Sequence, residues 1–561
     1  MNTIMKRYIS ILALAATALC LTSCEKFLDD VHREGETTQA TYFVNDAQAV
    51  SAIARVYSEL RQESYLGREM YWEQAVATDI VWGRTRSYNP LAVFQYNGDE
   101  SPLRDVFNQA YKNIAVSNWI VEALHNKQIG TELTEIETRT LGEAYFLRAY
   151  CHFTIAYRYG TKDLGVPFDA YEEFEYPYQV QIPTQQESVM KNYEMIASDL
   201  KKAESLLPKF ETYGAADRGR AHKASAAAVL SKVYAYWANW DSSKWSDVIT
   251  CVDRLEKDYG RDLVENFKDL WSPDWQKGFW NKEYCWGVPG NGGNDADGGG
   301  GIEFTGVSWE NKGYGKMNGW GQFKPAYDIY EEMAKDNVGD TKNERLAVSI
   351  LEYNDEFMYW GAPMKYYSVQ DLESGFQIAK YIQPLAPEDP FTYDGGYVNT
   401  NADYPTVRCM WHIVRFADCL LLRAEAYLAQ NNASKAAEDI NRVRVRSNLV
   451  PITGNATWTD LYHERRCELA FEMSADHAYD CKRWAYSGAA EIKALAIKEL
   501  NSHPRVRHHE DRSNPESDFT IGDYEDYKIA KQWSNKYMTF PYPSQQINKS
   551  QGKLKNVPDW Q

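Results

Sequence analysis

Six of the 18 tryptophans, Trp271, Trp275, Trp280, Trp286, Trp309 and Trp320, fall within the fifty residues 271–320. They flank the run GVPGNGGNDADGGGG (287–301), which carries Asn291, Asn294, Asp295 and Asp297. Flat aromatic faces beside planar or charged hydrogen-bonding side chains are what a sugar needs, because its C–H faces are apolar and its hydroxyl edges polar. Trp286, Trp309 and Trp320 are therefore candidate platforms, and Asn291, Asn294 and Asp295 candidate hydroxyl partners. Trp271 and Trp275, four apart, read as core at one helical end, since aromatic residues are more often packed than displayed. Asp295-Ala296-Asp297-Gly298 echoes the start of a calcium loop. The later ligand positions hold only glycines, Ile302 and Glu303, so no metal is assigned.

Catalytic chemistry finds little support. The chain has no H-E-x-x-H, G-x-S-x-G, P-loop or G-x-G-x-x-G. Its 79 acidic residues allow many carboxylate pairs, but glycoside hydrolysis needs a set separation in space that sequence spacing does not define. His508-His509 lie in the polar run RVRHHEDRSNP and read as solvated. No catalytic residue and no cofactor is assigned. Neither C-x-x-C nor a His/Cys cluster with zinc spacing is evident. Beyond Cys20 and Cys24, seven cysteines remain, and they read as buried thiols, since Cys151 and Cys419 sit in strongly apolar runs.

The first 23 residues read as a signal peptide, with Lys6 and Arg7 ahead of an apolar run (Ile9 to Leu21) too short to span a bilayer. Leu21-Thr22-Ser23-Cys24 resembles the lipobox of bacterial lipoproteins. Cys24 is accordingly the expected lipidation site, carrying acyl chains such as palmitate that hold the body on a membrane. The net charge of -18 becomes −20 once residues 1–23 are gone, since they carry Lys6, Arg7 and no acidic residue. Such a body does not suit nucleic-acid phosphates, and its interspersed charges read as a solubilising surface.

These residues must be positioned by helices. After Pro183, Thr184 and Glu187 form a T-x-x-E capping box, and Val189, Tyr193, Ile196, Leu200, Ala203 and Leu207 make one apolar stripe that Pro208 ends. Residues 142–159 and 416–429 are apolar nearly all round, as in the middle of a bundle. Ala417 to Arg444 and Ser225 to Leu255 each read as a helix pair with small residues at the contact, similar to a tetratricopeptide unit. The stretches 46–62 and 106–127 would complete the stack. Between about 271 and 410 helical periodicity fades except near Pro325 to Lys335, and 287–301 reads as neither helix nor strand.

Ordered blocks then resemble one family along essentially the whole mature chain. They are EKFLDD after Cys24; LGEAYFLRAYCHFTIAYRYG with GVPF (165–168); DLKKAESLLP; GRAHKASAAAVLSKVYAYWANW; VRFADCLLLRAEAYL; INRVRVRS; ERRCELAFE; DCKRW; and TFPYPSQQI. They resemble the SusD/RagB-like outer-membrane nutrient-binding lipoproteins of Gram-negative bacteria. The chain departs from that pattern at Met473-Ser474-Ala475-Asp476. The resemblance implies a mainly α fold: four tetratricopeptide-like helical pairs plus a loop-rich, irregular ligand-binding lobe. It places a signal peptide at 1–23 and the lipoprotein at 24–561, with an N-terminal region of about 25–225, a ligand-face region of about 271–410 and a C-terminal region of about 411–561. In such proteins the variable segment at Trp82, Arg84 and Tyr88 looks out on the ligand face. The implied partner is a SusC-like TonB-dependent outer-membrane transporter, and the implied location is the cell surface, lipid-anchored. A glycan is the ligand that the aromatic residues favour. A peptide or other nutrient, a purely structural transporter subunit and a surface glycoside hydrolase are the alternatives.

Overall fold

The computed structural model describes residues 43–71, 78, 81–83, 89–128, 130–170, 183–272, 274–290, 323–352, 358–359, 362–363, 376–381, 392–393, 397–398, 409–473, 477–511, 517–523 and 531–561. The chain divides into two compact units, 1–48 and 49–561, and only residues 43–48 of the first are described. Cys24, Arg84, Tyr88, Asn291, Asn294, Asp295, Trp309 and Trp320 lie outside the described residues.

Helices dominate. After α1 (Asp46–Leu60) come α2 (Ser101–Gln128), α3 (Glu135–Tyr159), α4 (Val189–Leu206), α5 (Lys223–Ala238) and α6 (Trp245–Lys257). Each from α3 to α6 packs on the one before, which makes the tetratricopeptide-like stack. Thr134 starts α3 with a capping box: its Oγ1 accepts from Glu137 N (3.1 Å), and Glu137 Oε2 accepts from Thr134 N (3.2 Å). From Leu141 to Tyr159 every residue of α3 is buried, as an all-round apolar pattern requires of a central helix. Two arginines, Arg148 and Arg158, lie inside it. Arg148 donates to both carboxylate oxygens of Asp199 on α4 (2.8 and 2.9 Å) and to Asn118 Oδ1 on α2 (2.8 Å). Of the stretches 46–62 and 106–127, expected to complete the stack, the second lies in α2 and packs on α3. Glu59 of α1 still accepts from Gln109 Nε2 on α2 at 2.8 Å.

The start of α4 also differs from expectation. Ser188, not Thr184, is the cap, its Oγ accepting from Met190 N at 3.2 Å. Thr184 is unavailable because the next residues are already committed to a bridge with the GVPF turn: Gly165 N donates to Gln186 O (2.9 Å) and Gln186 N to Val166 O (3.2 Å).

The chain leaves the stack and returns to it at one place. β2 (Tyr284–Pro289) pairs antiparallel with β6 (Met410–Arg415), and Gly290 N donates to Cys409 O at 2.9 Å. Gly287-Val288-Pro289 is thus strand, a correction to the reading of 287–301 as wholly irregular. Gly287 is required there, because a Cβ would sit 2.4 Å from Trp411 O. From β6 the chain enters α9 (Phe416–Ala429), which packs on α5 and α6, and then α10 (Ala433–Arg446). Arg423 of α9 clamps this junction, donating to both oxygens of Asp439 on α10 (2.8 and 2.7 Å) and to Asp253 of α6 (2.8 Å). The helices α11 (Trp458–Glu468), α12 (His477–Trp484) and α13 (Ala490–Leu500) follow.

Between the two neck strands lie short elements. β3 (Phe323–Pro325) pairs with β1 (Val81–Gly83); α7 (Tyr327–Ala334) and α8 (Glu344–Ser349) follow; and β4 (Ile350–Glu352) pairs with β5 (Phe376–Ile378). The polar run around His508-His509, expected as a solvated segment, is a strand. β7 (Arg505–His509) pairs with β8 (Phe519–Asp523), which displays Phe519 and Ile521 at 41% and 39% exposure. The seven cysteines Cys151, Cys251, Cys285, Cys409, Cys419, Cys467 and Cys481 are all free and buried, as expected.

Candidate ligand face

Trp286 is not a displayed platform. Its side chain has no solvent-accessible surface, and Phe146 and Tyr150 of α3 meet its ring edge-on, with centroids at 4.7 and 4.8 Å. Its Nε1 donates to Gly219 O at 3.2 Å, so the indole N–H is satisfied indoors. The physical reason is the strand pair itself: β2 and β6 both pack on α5, and five of the six β2 residues are buried. Trp271 and Trp275 are core, as expected, with Trp275 beside Phe279 and Tyr284 in one cluster. Trp411, also fully buried, stacks on Tyr381 at 3.9 Å and 5°.

Of the other candidates, only Trp82 lies in a described element. In the β1/β3 pair Val81 lies opposite Pro325, Trp82 opposite Lys324 and Gly83 opposite Phe323. Arg84 follows Gly83 and Gln322 precedes Phe323, so the segments carrying Arg84–Tyr88 and Asn291–Trp320 join the described structure at the same end of one small sheet. Sequence placed them more than two hundred residues apart. Behind this sheet β3 lies against β5, and buried Lys324 donates from Nζ to Gln377 Oε1 at 3.1 Å.

A buried charge network fixes that layer to the scaffold. Arg415, the last residue of β6, donates to Glu283 Oε1 (2.6 Å), Glu468 Oε1 (2.7 Å) and Glu472 Oε2 (2.7 Å). Lys380, two residues after β5, donates to Glu472 Oε1 (2.5 Å) and Glu468 O (3.0 Å). Arg446 pairs with Glu283 (2.6 Å) and with Glu468, and Arg345 with Glu464. Burial alone would push the Glu468 and Glu472 carboxyls up. Arg446, Arg415 and Arg345 instead hold Glu468 at about 2, and Arg415 with Lys380 holds Glu472 at about 2. Lys380 goes the other way: burial draws it down to about 8 despite Glu472. The sequence reading assigned such charges to the surface. These lie inside, paired, because the excursion is tied down by directional contacts as well as by apolar packing.

Next to this layer is a polar cavity of about 630 Å³, lined by Asp328, Glu331, Tyr462, Arg466, Glu499 and Arg505 among others. Half-buried Tyr327 and Tyr330 stand near it, with the Arg505 guanidinium 5.5 Å from the Tyr327 centroid. Sequence reasoning passed over this place. Its one local signal was the i, i+3 tyrosine pair opening α7.

Two family models match, one described as "Starch-binding associating with outer membrane" over residues 26–235 and one as "SusD family" over residues 282–560. A SusD-like protein of Formosa agariphila is 22% identical over 498 residues, 82% of this chain and 87% of that protein. A SusD-like protein of Bacteroides ovatus is 23% identical over 499 residues, 84% of this chain and 82% of that one. The crystal structure of a SusD-like carbohydrate-binding protein from Bacteroides fragilis superposes with a TM-score of 0.68 at 18% identity, covering 93% of this chain and 100% of that one. That likeness establishes the fold, mainly α with tetratricopeptide-like helical pairs. With both halves of the chain matched in order, the protein belongs to the SusD/RagB-like family.

Proposed function

We propose that this protein is a surface lipoprotein, anchored through acylated Cys24 in the outer membrane, that binds glycans and passes them to a SusC-like TonB-dependent transporter. The observation that carries the glycan reading is the pairing of β1, which holds Trp82, with β3, which begins three residues after Trp320, in a chain similar to a carbohydrate-binding protein. Trp82, Arg84, Tyr88, Trp309 and Trp320 are the proposed contacts, with Asn291, Asn294 and Asp295 supplying hydroxyl partners. Trp286 is withdrawn from that set. No catalytic residue is part of the proposal, and the ligand leaves unchanged.

Affinity electrophoresis in polysaccharide gels tests this. The protein is expected to be retarded in at least one gel. Trp82→Ala or Trp320→Ala should reduce retardation with a melting temperature close to the parent's, whereas Trp286→Ala should destabilise by about 3–5 kcal/mol, the usual result of emptying a buried tryptophan site. Absence of retardation in every gel together with peptide binding would replace the glycan by a peptide. Release of reducing sugar would overturn the non-enzymatic reading.

A further inference from the structure

His477 and Cys481 are four apart on α12 and share one face of it, and Glu499 reaches them from the last turn of α13. The three donor atoms lie within 4.8 Å of one another, and all three residues are buried. His477 Nε2 is 3.6 Å from Cys481 Sγ; Cys481 Sγ is 3.5 Å from Glu499 Oε2; His477 Nε2 is 2.8 Å from Glu499 Oε2. We propose that His477 Nε2, Cys481 Sγ and a Glu499 carboxylate oxygen form a binding site for one Zn²⁺ ion.

The distances argue for it. Tetrahedral zinc with Zn–S near 2.3 Å and Zn–N or Zn–O near 2.0–2.1 Å sets its ligand atoms about 3.6 Å apart for N···S and S···O, and about 3.3 Å for N···O. The first two separations are met already. Only the third must open, by about half an ångström, as a hydrogen bond is exchanged for two metal bonds. The donor set also suits the ion, since a thiolate and a carboxylate neutralise Zn²⁺ and imidazole completes a borderline-soft trio. On binding, the Cys481 S–H bond is replaced by S–Zn and its proton leaves to solvent, and the proton shared by His477 Nε2 and Glu499 leaves as well, to the ring's Nδ1 or to solvent.

The surroundings supply the remaining parts. Glu499 and Tyr462 line the 630 Å³ polar cavity, which gives an entry path and room for a fourth ligand. The Tyr462 hydroxyl donates to Glu499 Oε2 and accepts from Arg466 Nη1 at 3.1 Å, an outer contact that orients the carboxylate. The site is independent of the ligand face and of what binds there.

Cobalt titration and zinc X-ray absorption of the full chain test the proposal. One equivalent of Co²⁺ should produce a thiolate charge-transfer band and the visible bands of tetrahedral cobalt, both lost on adding ZnCl₂. Cys481→Ser should abolish the thiolate band, and His477→Gln or Glu499→Gln should weaken Zn²⁺ uptake at least about tenfold. Should those variants misfold, the zinc-loaded parent decides: one sulfur at about 2.3 Å is expected. A shell of nitrogen and oxygen alone, no stoichiometric uptake, or a thiolate band that survives in Cys481→Ser would overturn the site.

Discussion

The core around α3 and the core around α11 are built from different materials. α3 is surrounded by leucines, alanines and aromatic rings, with Phe153 edge-on to Tyr236 at 5.3 Å and the Arg148–Asp199 pair among them. Around α11 the buried side chains include Glu464, Arg465, Arg466 and Glu468, and the neighbouring Arg483 donates to both oxygens of Glu425 (2.5 and 2.7 Å). Arg465 reaches Asp480 Oδ2 at 2.7 Å. Apolar faces specify how much is buried, whereas a forked guanidinium accepts a carboxylate in few alignments. The charged core is the one that grips the excursion between the neck strands, where short sheets and loops offer little repeating surface to pack.

Removing a cation from the charged core should have the largest effect. Arg415→Met leaves Glu283, Glu468 and Glu472 without their shared partner, and it should destabilise by about 3–5 kcal/mol in denaturant unfolding. A loss below about 1 kcal/mol would show that the two cores depend on the same apolar packing.

Acid should separate the cores next. Glu468 and Glu472 are held at about 2, below the unfolded value near 4.3. The unfolded chain therefore binds protons first as pH falls. Their contribution is fully present above about pH 5 and is lost progressively as pH falls toward 2. Calorimetry should show a melting temperature that drops across that window in the parent, and less steeply in Arg415→Met. Equal slopes would remove the network from the explanation.

The smallest effect belongs to the apolar half. Ser188→Ala should cost about 1 kcal/mol by exposing the first turn of α4, while Thr184→Ala should stay within about 0.5 kcal/mol. Thermal melts of the two variants rank them, and the reverse order would restore the cap suggested by the T-x-x-E pattern.

Periodicity made most of the scaffold legible. The all-round apolar runs at 142–159 and 416–429 lie within α3 and α9 as central helices, and the pair from Ala417 to Arg444 has the turn at Gln430 that its polar residues suggested. What failed was long-range. Thr184 satisfies a local capping rule, but residues 185–186 bond to Gly165 and Val166 instead. Trp286 has the residue type of a platform, and only the approach of Phe146 and Tyr150 from α3 shows that its ring is covered. The His477–Cys481 step carries no signal until α12 is known to be a helix and α13 brings Glu499 beside it. Trp82 and Trp320 are proposed from residue type, and that the chain after Gly83 and the chain before Phe323 leave one end of a sheet is seen only in the register of β1 and β3.

The bond from Gly290 to Cys409 also bears on how the molecule varies. With the ends of the excursion held together by paired strands, doubling the length of the intervening chain would add only about 0.6 kcal/mol of closure entropy. The neck thus works as a graft point: loops can be lengthened, shortened or exchanged beyond it while the helices below keep their alignment.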